Sequence, residues 1–397
     1  MYICSNDSKL HKMMEIIERE ISGAVIEAAK VYSVVTITGP RQSGKTTLAK
    51  HLFSSLPYFS LESPDVRGIA MSDPIGFLKS GQNGIVIDEI QHFPQLLSYI
   101  QTLVDERQDL RYVLTGSSDF TLMKSVTQSL TGRTAVFELL PLSLGETGIA
   151  ASRLSLEELL FRGMYPAAWS RGISAEILYP NYVKTYLERD VRDLLSVKDI
   201  NTFRKFLRLC ACRIGSIFNA SELSCEIGVS GNTIKSWLDV LMTSYVIVLL
   251  QPFHSNTHKR LIKSPKIYFS DTGLACSLLD IESAKQLGRD KMRGHLFENM
   301  IVIEALKSRL NKGKGNNLCF YRDSNGNEVD LITKSEGRLN LYEIKSSETY
   351  HQDFEKGLKA FRKAFPEFVG SQTVVYNGQT EIEDSEIRVV NFRRKLF

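Results

Sequence analysis

The feature that most constrains this chain of 397 residues is a glycine-rich loop near its N-terminus. Residues 31–38 are β-rich, the next eight residues fit the pattern G-x-x-x-x-G-K-[ST], and a helical pattern follows. Gly39 and Gly44 would let backbone N–H groups surround a phosphate, and the N-terminus of the next helix adds positive potential. A tight turn before a helix is the alternative. A strand, a phosphate loop and a helix in this order predict a parallel sheet flanked by helices.

The residue types of this loop predict which atoms would bind a nucleotide. Lys45 is expected to reach the β- and γ-phosphates, and the Thr46 hydroxyl is expected to ligate Mg²⁺. ATP and Mg²⁺ are therefore the predicted cofactors. The predicted nucleotide contacts are nine consecutive residues: Gly39, Pro40, Arg41, Gln42, Ser43, Gly44, Lys45, Thr46 and Thr47.

A short apolar run that ends in two acids, residues 84–89, follows at a suitable distance after the loop. Asp88 is expected to hold the Mg²⁺ at the carboxyl end of a strand, and Glu89 to polarise the attacking water. An acidic pair at the end of a strand is common in itself. Its position after a phosphate loop is what favours a catalytic role.

Two further predictions concern residues near the phosphates. One of Thr115, Ser117 or Ser118, at the end of the next β-rich run, could sense the γ-phosphate, although a polar turn explains the same pattern. Arg133 precedes the last strand of this part and is a catalytic candidate. It could stabilise the transferring phosphoryl group in its own chain or in a neighbouring subunit of a homo-oligomer; a surface arginine without a catalytic role is the alternative.

Several of these motifs together resemble a large family of bacterial and archaeal AAA-type (AAA+ superfamily) P-loop ATPases. The motifs are residues 39–48, 87–91, 114–118, 132–133 and 141–146. Members of that family carry a C-terminal domain of unknown function that is similar to PD-(D/E)xK nucleases. The resemblance includes residues 163–166, where Met164 replaces the second glycine of a frequent Gly-Gly-x-Pro pattern. It implies ATP binding and a multidomain architecture, and it implies no cellular role.

The middle of the chain, residues 220–241, has the pattern of a helix, a tight turn and a second helix. Gly228 marks the turn and Ser230 is an N-cap candidate. The β-rich runs 245–250 and 266–269 would complete a winged helix. The second helix could enter a major groove of DNA, with its polar residues exposed. Those residues are Asn232, Thr233, Lys235 and Ser236.

Charge gives a modest indication of the partner. Residues 181–270 contain 13 Lys and Arg against 7 Asp and Glu, although the whole chain has a net charge of only +4. The positive excess therefore lies in the segment predicted to be a winged helix, where a polyanion would bind. A packing module that does not contact DNA remains the alternative, because the second helix is not strongly basic.

Two β-rich runs near the C-terminus carry a candidate nuclease-like site. Alternation places Glu343 and Lys345 on one face of a strand. Asp330, on the adjacent strand, could share a Mg²⁺ with Glu343 while Lys345 steadies a water for attack on a phosphodiester. Glu298 would add a carboxylate from a helix, matching the nuclease-like pattern. Because the pattern E-x-K arises by chance at this length, context and the resemblance carry this assignment.

The predicted fold class is α/β: a P-loop NTPase parallel sheet, then a winged-helix segment and an α/β restriction-endonuclease-like domain. The chain has no window of about 18 apolar residues, no signal-peptide pattern and no disulfide framework, which predicts a cytoplasmic protein without a membrane partner. The expected units are a P-loop ATPase domain (1–150), a helical connector (151–185), a winged-helix-like domain (186–270), a linker (271–294) and a PD-(D/E)xK nuclease-like domain (295–397).

Two functional hypotheses follow from these predictions. In the first, a Mg²⁺-dependent ATPase couples its nucleotide state to a winged-helix and nuclease-like module in DNA binding or processing. In the second, an ATP-dependent regulatory switch binds protein partners, and its nuclease-like domain is catalytically silent. ATP hydrolysis is common to both hypotheses, whereas nuclease activity is left open.

Overall fold

The computed structural model describes residues 16–117, 129–187, 200–253 and 263–397. Within these ranges the strands form one sheet of five strands and one of seven. The strands are β1 (Val34–Gly39), β2 (Tyr58–Ser60), β3 (Val86–Asp88), β4 (Tyr112–Ser117), β5 (Thr134–Glu138), β6 (Ile247–Pro252), β7 (Lys266–Phe269), β8 (Cys319–Arg322), β9 (Glu328–Ser335), β10 (Arg338–Lys345), β11 (Val369–Tyr376) and β12 (Arg388–Asn391).

The helices of the described ranges lie between and beside these strands. The first five, in the N-terminal part, are α1 (Ser22–Val31), α2 (Lys45–Leu52), α3 (Pro64–Ser72), α4 (Pro74–Leu78) and α5 (Leu96–Glu106). The others are α6 (Leu144–Ser152), α7 (Leu156–Arg162), α8 (Pro166–Ser170), α9 (Ala175–Tyr182), α10 (Ile200–Ala211), α11 (Ala220–Ile227), α12 (Gly231–Thr243), α13 (Thr272–Leu278), α14 (Ala284–Leu287), α15 (Arg293–Leu310) and α16 (Lys356–Ala364). No helix in these ranges combines the length and the apolar character needed to span a membrane.

The five-stranded sheet has the order β2-β3-β4-β1-β5, and every neighbouring pair is parallel. The predicted parallel sheet is therefore confirmed. All six residues of β1 are buried, as expected for a strand that is covered on both faces. Because the strands are parallel, β1, β3 and β4 all have their carboxyl ends on the same side of the sheet. The loops that follow these three strands are therefore close together.

The seven-stranded sheet has the order β12-β11-β10-β9-β8-β6-β7. The hairpin β6–β7 joins the C-terminal strands because β6 pairs in parallel with β8, at Gln251↔Cys319 and Pro252↔Phe320. The two strands that were predicted to complete a winged helix thus belong to the same sheet as the C-terminal strands. One apolar core also extends from Leu140 to Phe392, so the expected units 186–270 and 295–397 share both a sheet and a core.

The helix–turn–helix pattern of the middle segment is present as α11 and α12. Gly228 ends α11 with a positive φ of 82°, and the Ser230 side chain accepts a hydrogen bond of 3.0 Å from the Thr233 N–H at the start of α12. Trp237 of α12 packs against Phe203 and Phe206 of α10, with ring centroids 5.4 Å apart in each pair. This aromatic packing fixes α12 on α10 and leaves its opposite face exposed.

Candidate nucleotide site and C-terminal acidic centre

The loop between β1 and α2 requires its two glycines for different reasons. Gly39 has a φ of 147°, and a Cβ there would lie 2.2 Å from the carbonyl oxygen of Leu139. Gly44 has a φ of 96° immediately before α2. Only glycine adopts such backbone conformations without strain. The sequence therefore folds here into a tight loop whose N–H groups precede a helix N-terminus.

Lys45 lies within this loop and is almost completely buried, with 5% of its surface exposed. Its ammonium donates hydrogen bonds to the carbonyl oxygens of Gly39 (3.0 Å) and Pro40 (2.8 Å). The lysine that the sequence predicts to reach the β- and γ-phosphates is thus held inside the loop by backbone acceptors.

Asp88, at the carboxyl end of β3, receives hydroxyl donors from three directions. Thr46 lies 3.0 Å from both carboxylate oxygens, Tyr58 donates at 2.7 Å, and the Thr115 hydroxyl also donates to the same carboxylate. Burial and the hydrogen bond to Asp88 raise the pKa of Tyr58, so this phenol remains a donor. The predicted pair Thr46 and Asp88 is brought together, and its hard oxygen atoms are the type that Mg²⁺ prefers.

Glu89 adopts a left-handed backbone conformation, with φ 57° and ψ 47°. A non-glycine residue in this region is uncommon, and such strain is concentrated at functional sites. Gln91 donates a hydrogen bond to the Glu89 carboxylate and another, of 3.0 Å, to the Ser117 hydroxyl. Gln91 was not among the predicted site residues, although it stands only two positions after Glu89.

The three candidates for sensing the γ-phosphate are placed differently. Thr115 is buried in β4 and donates to Asp88, whereas Ser117, at the end of β4, is linked to Glu89 through Gln91. Ser118 lies outside the described residues. The two described candidates therefore both contact the acidic pair, one directly and one through an amide.

Arg133 lies at the amino-terminal ends of the strands, on the side of the five-stranded sheet opposite to the phosphate loop. Its guanidinium forms two hydrogen bonds to Asp105, of 2.6 and 2.8 Å, and its carbonyl oxygen accepts from the Val34 N–H at the start of β1. The loop begins at the other end of β1, roughly 16 Å along the strand. Arg133 is thus not beside the loop of its own chain, and a role in a neighbouring subunit stays a prediction.

Residues from outside the predicted loop also hold it. Arg19 is buried and donates hydrogen bonds of 2.7 Å to the carbonyl oxygens of Ser43 and Leu140, and its Nε lies 3.0 Å from the Glu146 carboxylate. At the end of β1, the Thr38 hydroxyl lies 3.0 Å from the hydroxyl of Tyr245. No sequence pattern selects Arg19 or Tyr245, because neither is near the loop along the chain.

In the C-terminal part, the structure brings together the four residues that were predicted to form a nuclease-like site. Lys345 Nζ lies 2.6 Å from a Glu343 oxygen and 3.6 Å from an Asp330 oxygen. Strands β9 and β10, which carry these residues, are antiparallel neighbours, and Asp330 had been predicted on the strand adjacent to that of Glu343 and Lys345. Glu298 of α15 completes the group through a shared partner, Lys266.

Lys266 and Glu328 are the residues of this centre that were not predicted from the sequence. Lys266 is 2% exposed, and its ammonium lies 3.0 Å from Glu298 and 4.0 Å from Asp330 and also contacts Glu328. Tyr268, which follows on the same face of β7, donates a hydrogen bond of 2.6 Å to Glu298. We call Lys266, Glu298, Glu328, Asp330, Glu343 and Lys345 the acidic centre.

Burial dominates the electrostatics of the acidic centre. Burial, followed by repulsion from Asp330, raises the pKa of Glu343 to about 8, and burial also raises the pKa of Glu298. Across the described ranges, no group of three or more His, Cys, Asp or Glu side chains is arranged to hold a metal ion. The Lys345 ammonium bridges Asp330 and Glu343, and the Mg²⁺ that these two carboxylates were expected to share stays a prediction.

Comparisons with known proteins divide the chain into three matched regions. Residues 31–148 match a family described as an AAA domain. Residues 153–285 match a domain of unknown function (DUF8612), and residues 293–394 match another domain of unknown function (DUF4143). The AAA match contains the phosphate loop and the acidic pair Asp88 and Glu89.

Two relatives and one solved structure resemble the chain over much of its length. The uncharacterized protein Rv2008c of Mycobacterium tuberculosis is 33% identical over 351 residues, which cover 85% of this chain and 75% of that protein. The uncharacterized protein MJ1544 of Methanocaldococcus jannaschii is 24% identical, with 97% and 92% covered. The Walker-type ATPase PABY2304 of Pyrococcus abyssi is 14% identical with a TM-score of 0.45, and the match covers 67% of this chain and 97% of that one.

The identity and coverage shared with the mycobacterial relative establish kinship over most of the chain. The AAA match and the parallel sheet with its phosphate loop define the class of the N-terminal part. The chain therefore belongs to the family of Rv2008c and is an AAA-type P-loop ATPase.

Proposed function

We propose that this chain is a Mg²⁺-dependent ATPase whose nucleotide state is transmitted to a helix–turn–helix that binds DNA. The observation that carries the proposal is the 3.0 Å hydrogen bond between Thr38, one residue before the phosphate loop, and Tyr245, two residues after α12 ends. This contact joins the strand that leads into the phosphate loop to the segment that follows the helix that would enter the groove.

In the nucleotide half of the proposal, the loop residues 39–47 surround the phosphates and Lys45 binds them. Thr46 and Asp88, whose oxygen atoms lie 3.0 Å apart, would hold the Mg²⁺, which neutralises phosphate charge when it is bound. Glu89 orients the attacking water. Gln91 holds the Glu89 carboxylate and ties it to Ser117, so that a change at the γ-phosphate would reach Glu89 through this amide.

A second connection supports transmission from the loop to the C-terminal part. Glu146, which pairs with Arg19 at the loop, belongs to a capping box at the start of α6. Next to it, the Leu144 N–H donates to Glu304 at 2.8 Å, and Lys307 donates to the Leu142 carbonyl oxygen at 2.7 Å. Glu304 and Lys307 lie on α15, the helix that also carries Glu298 of the acidic centre.

The DNA half of the proposal rests on the exposed face of α12. Asn232, Lys235 and Ser236 are exposed, whereas Thr233 is half-buried beside the N-cap. Polar side chains on the outer face of a second helix are the arrangement with which helix–turn–helix proteins read a major groove. The positive excess of residues 181–270 adds attraction to phosphates.

A second candidate function is favoured by the lysine ion pairs of the acidic centre. They support a catalytically silent C-terminal domain in an ATP-dependent switch that recruits a protein partner instead of DNA. The two candidates share the nucleotide half and differ in the partner of the remainder of the chain, so DNA binding discriminates between them. An assembly of several chains, with Arg133 acting on a neighbour, is compatible with both.

Replacing Lys235 with glutamate is expected to weaken DNA binding about tenfold at 50 mM salt, because it reverses one charge on the face that meets phosphates. Fluorescence anisotropy with a labelled duplex measures this loss. The slope of log affinity against log salt concentration should also decrease in magnitude by about one, which corresponds to one phosphate contact fewer. Lys79→Glu is the matched control, since Lys79 is an exposed lysine at the end of α4 in the ATPase part.

The control should bind DNA like the wild type, and both variants should hydrolyse ATP at the wild-type rate. An equal loss in Lys235→Glu and Lys79→Glu would mean that overall charge, and not α12, governs binding. A wild-type chain that binds no duplex even at low salt would overturn the DNA half of the proposal and leave the protein-recruiting switch.

A further inference from the structure

The acidic centre contains cations of its own. Lys266 contacts three of its four carboxylates, and Lys345 contacts the fourth, Glu343, and shares Asp330. Arg322 adds a third cation, 3.4 Å from the second oxygen of Glu328. Every carboxylate of the centre thus has at least one protein cation within 4.0 Å, so most of the negative charge that would attract a metal ion is already compensated.

Lys266 is also the deepest cation of the centre. Its side chain is 3% exposed, whereas the side chain of Lys345 is 35% exposed. The middle of the chain closes the centre around it: Tyr268 donates to Glu298, and a Cβ on Gly215 would lie 3.2 Å from a Glu298 oxygen. An ammonium group enclosed in this way does not swing into solvent to make room for another ion.

A divalent ion and this ammonium compete for the same oxygen atoms. Mg²⁺ or Mn²⁺ held by Glu298 and Asp330 would lie within a few ångströms of Nζ, where like charges repel strongly because little water screens them. A metal site of this kind needs carboxylate oxygens that are free to bind the ion. The oxygens that face Nζ do not meet this condition while Lys266 is in place.

We infer that Lys266 is a built-in cation that replaces a divalent metal ion in the acidic centre, so that the centre neither binds Mg²⁺ nor cleaves phosphodiesters. The ammonium group from β7 compensates Glu298, Glu328 and Asp330, and the Lys345 ammonium lies between Asp330 and Glu343, where a Mg²⁺ was predicted. The centre then acts as a buried junction that ties the β6–β7 hairpin to α15, β9 and β10. This inference is independent of whether the chain binds DNA.

The test measures Mn²⁺ binding to the nucleotide-free full-length chain by isothermal titration calorimetry. Lys266→Met keeps the length of the side chain and removes its charge, so we expect one additional site per chain, at least about tenfold tighter than any binding by the wild type. Adding Asp330→Asn to this variant should abolish the new site. Lys307→Met is the matched control, because Lys307 is an equally buried lysine that pairs with Glu304 away from the centre, and it should gain no site.

The same titration overturns the inference in two ways. Either the wild type already shows a saturable Mn²⁺ site that Asp330→Asn removes, or folded Lys266→Met binds Mn²⁺ no better than the wild type. Circular dichroism and ATP turnover report whether each variant folds. If Lys266→Met does not fold, the double variant Lys266→Met/Glu328→Gln takes its place, because it also removes one of the carboxylates that Lys266 compensates. Independently of both variants, comparing Mn²⁺ binding by the wild type and by Asp330→Asn shows whether the wild-type centre binds the metal.

Discussion

Replacing Lys45 with alanine is expected to abolish ATP turnover and to weaken ATP binding by about 100-fold. The ammonium is the buried cation of the phosphate loop, 3.0 and 2.8 Å from the carbonyl oxygens of Gly39 and Pro40. Without it, the phosphates would face these carbonyl groups and would lose their charge-assisted hydrogen bonds to the Lys45 ammonium. Phosphate release measures turnover, and a fluorescent ATP analogue measures affinity.

Lys30→Ala provides the control for this change. Lys30 is an exposed lysine on α1 that pairs with the exposed Glu27, so both measurements should match the wild type. Turnover that persists unchanged in Lys45→Ala would contradict the assignment of this loop as the nucleotide site.

Replacing Glu89 with glutamine is expected to reduce turnover by about 100- to 1000-fold and to leave ATP affinity nearly unchanged. Glutamine keeps the shape of the side chain and its place beside Gln91, but it cannot polarise a water molecule as a carboxylate does. The left-handed backbone of Glu89 (φ 57°) is a conformation that is concentrated at functional sites, which supports the proposed catalytic role.

Two outcomes of the Glu89→Gln experiment separate catalysis from structure. Loss of turnover together with loss of ATP binding would indicate a role in shaping the site, and full turnover would exclude Glu89 as the base. Glu62→Gln, a neutralised acid on the surface of the same domain, should behave like the wild type in both measurements.

The parts of the site that could be predicted from the sequence are those that are local in the chain. The phosphate loop is one continuous strand–loop–helix segment, and Asp88 and Glu89 end one apolar run. Asp330, Glu343 and Lys345 lie on two successive strands joined by a short turn, so alternation and pairing were enough to place them together.

The parts that could not be predicted depend on contacts between distant segments. Tyr245 meets Thr38 across 207 residues of sequence. Lys266 lies in β7, which joins the C-terminal sheet through the pairing of β6 with β8, and no pattern in either strand specifies that pairing. The position of Arg133, in contrast, follows from the parallel sheet itself. Because β5 is parallel to β1, a residue just before β5 lies beside the residues just before β1, at the ends of the strands away from the phosphate loop.

The proposed link between nucleotide and DNA is tested most directly by the DNA affinity of Glu89→Gln with Mg²⁺ and ATP, compared with that of Lys45→Ala in the same buffer. The first variant should hold ATP and the second should remain free of it, so we expect their affinities to differ by at least about fivefold. Adding Tyr245→Phe to Glu89→Gln removes the hydroxyl bonded to Thr38 and should reduce that difference. Equal DNA affinities for Glu89→Gln and Lys45→Ala, with both chains folded, would contradict the link.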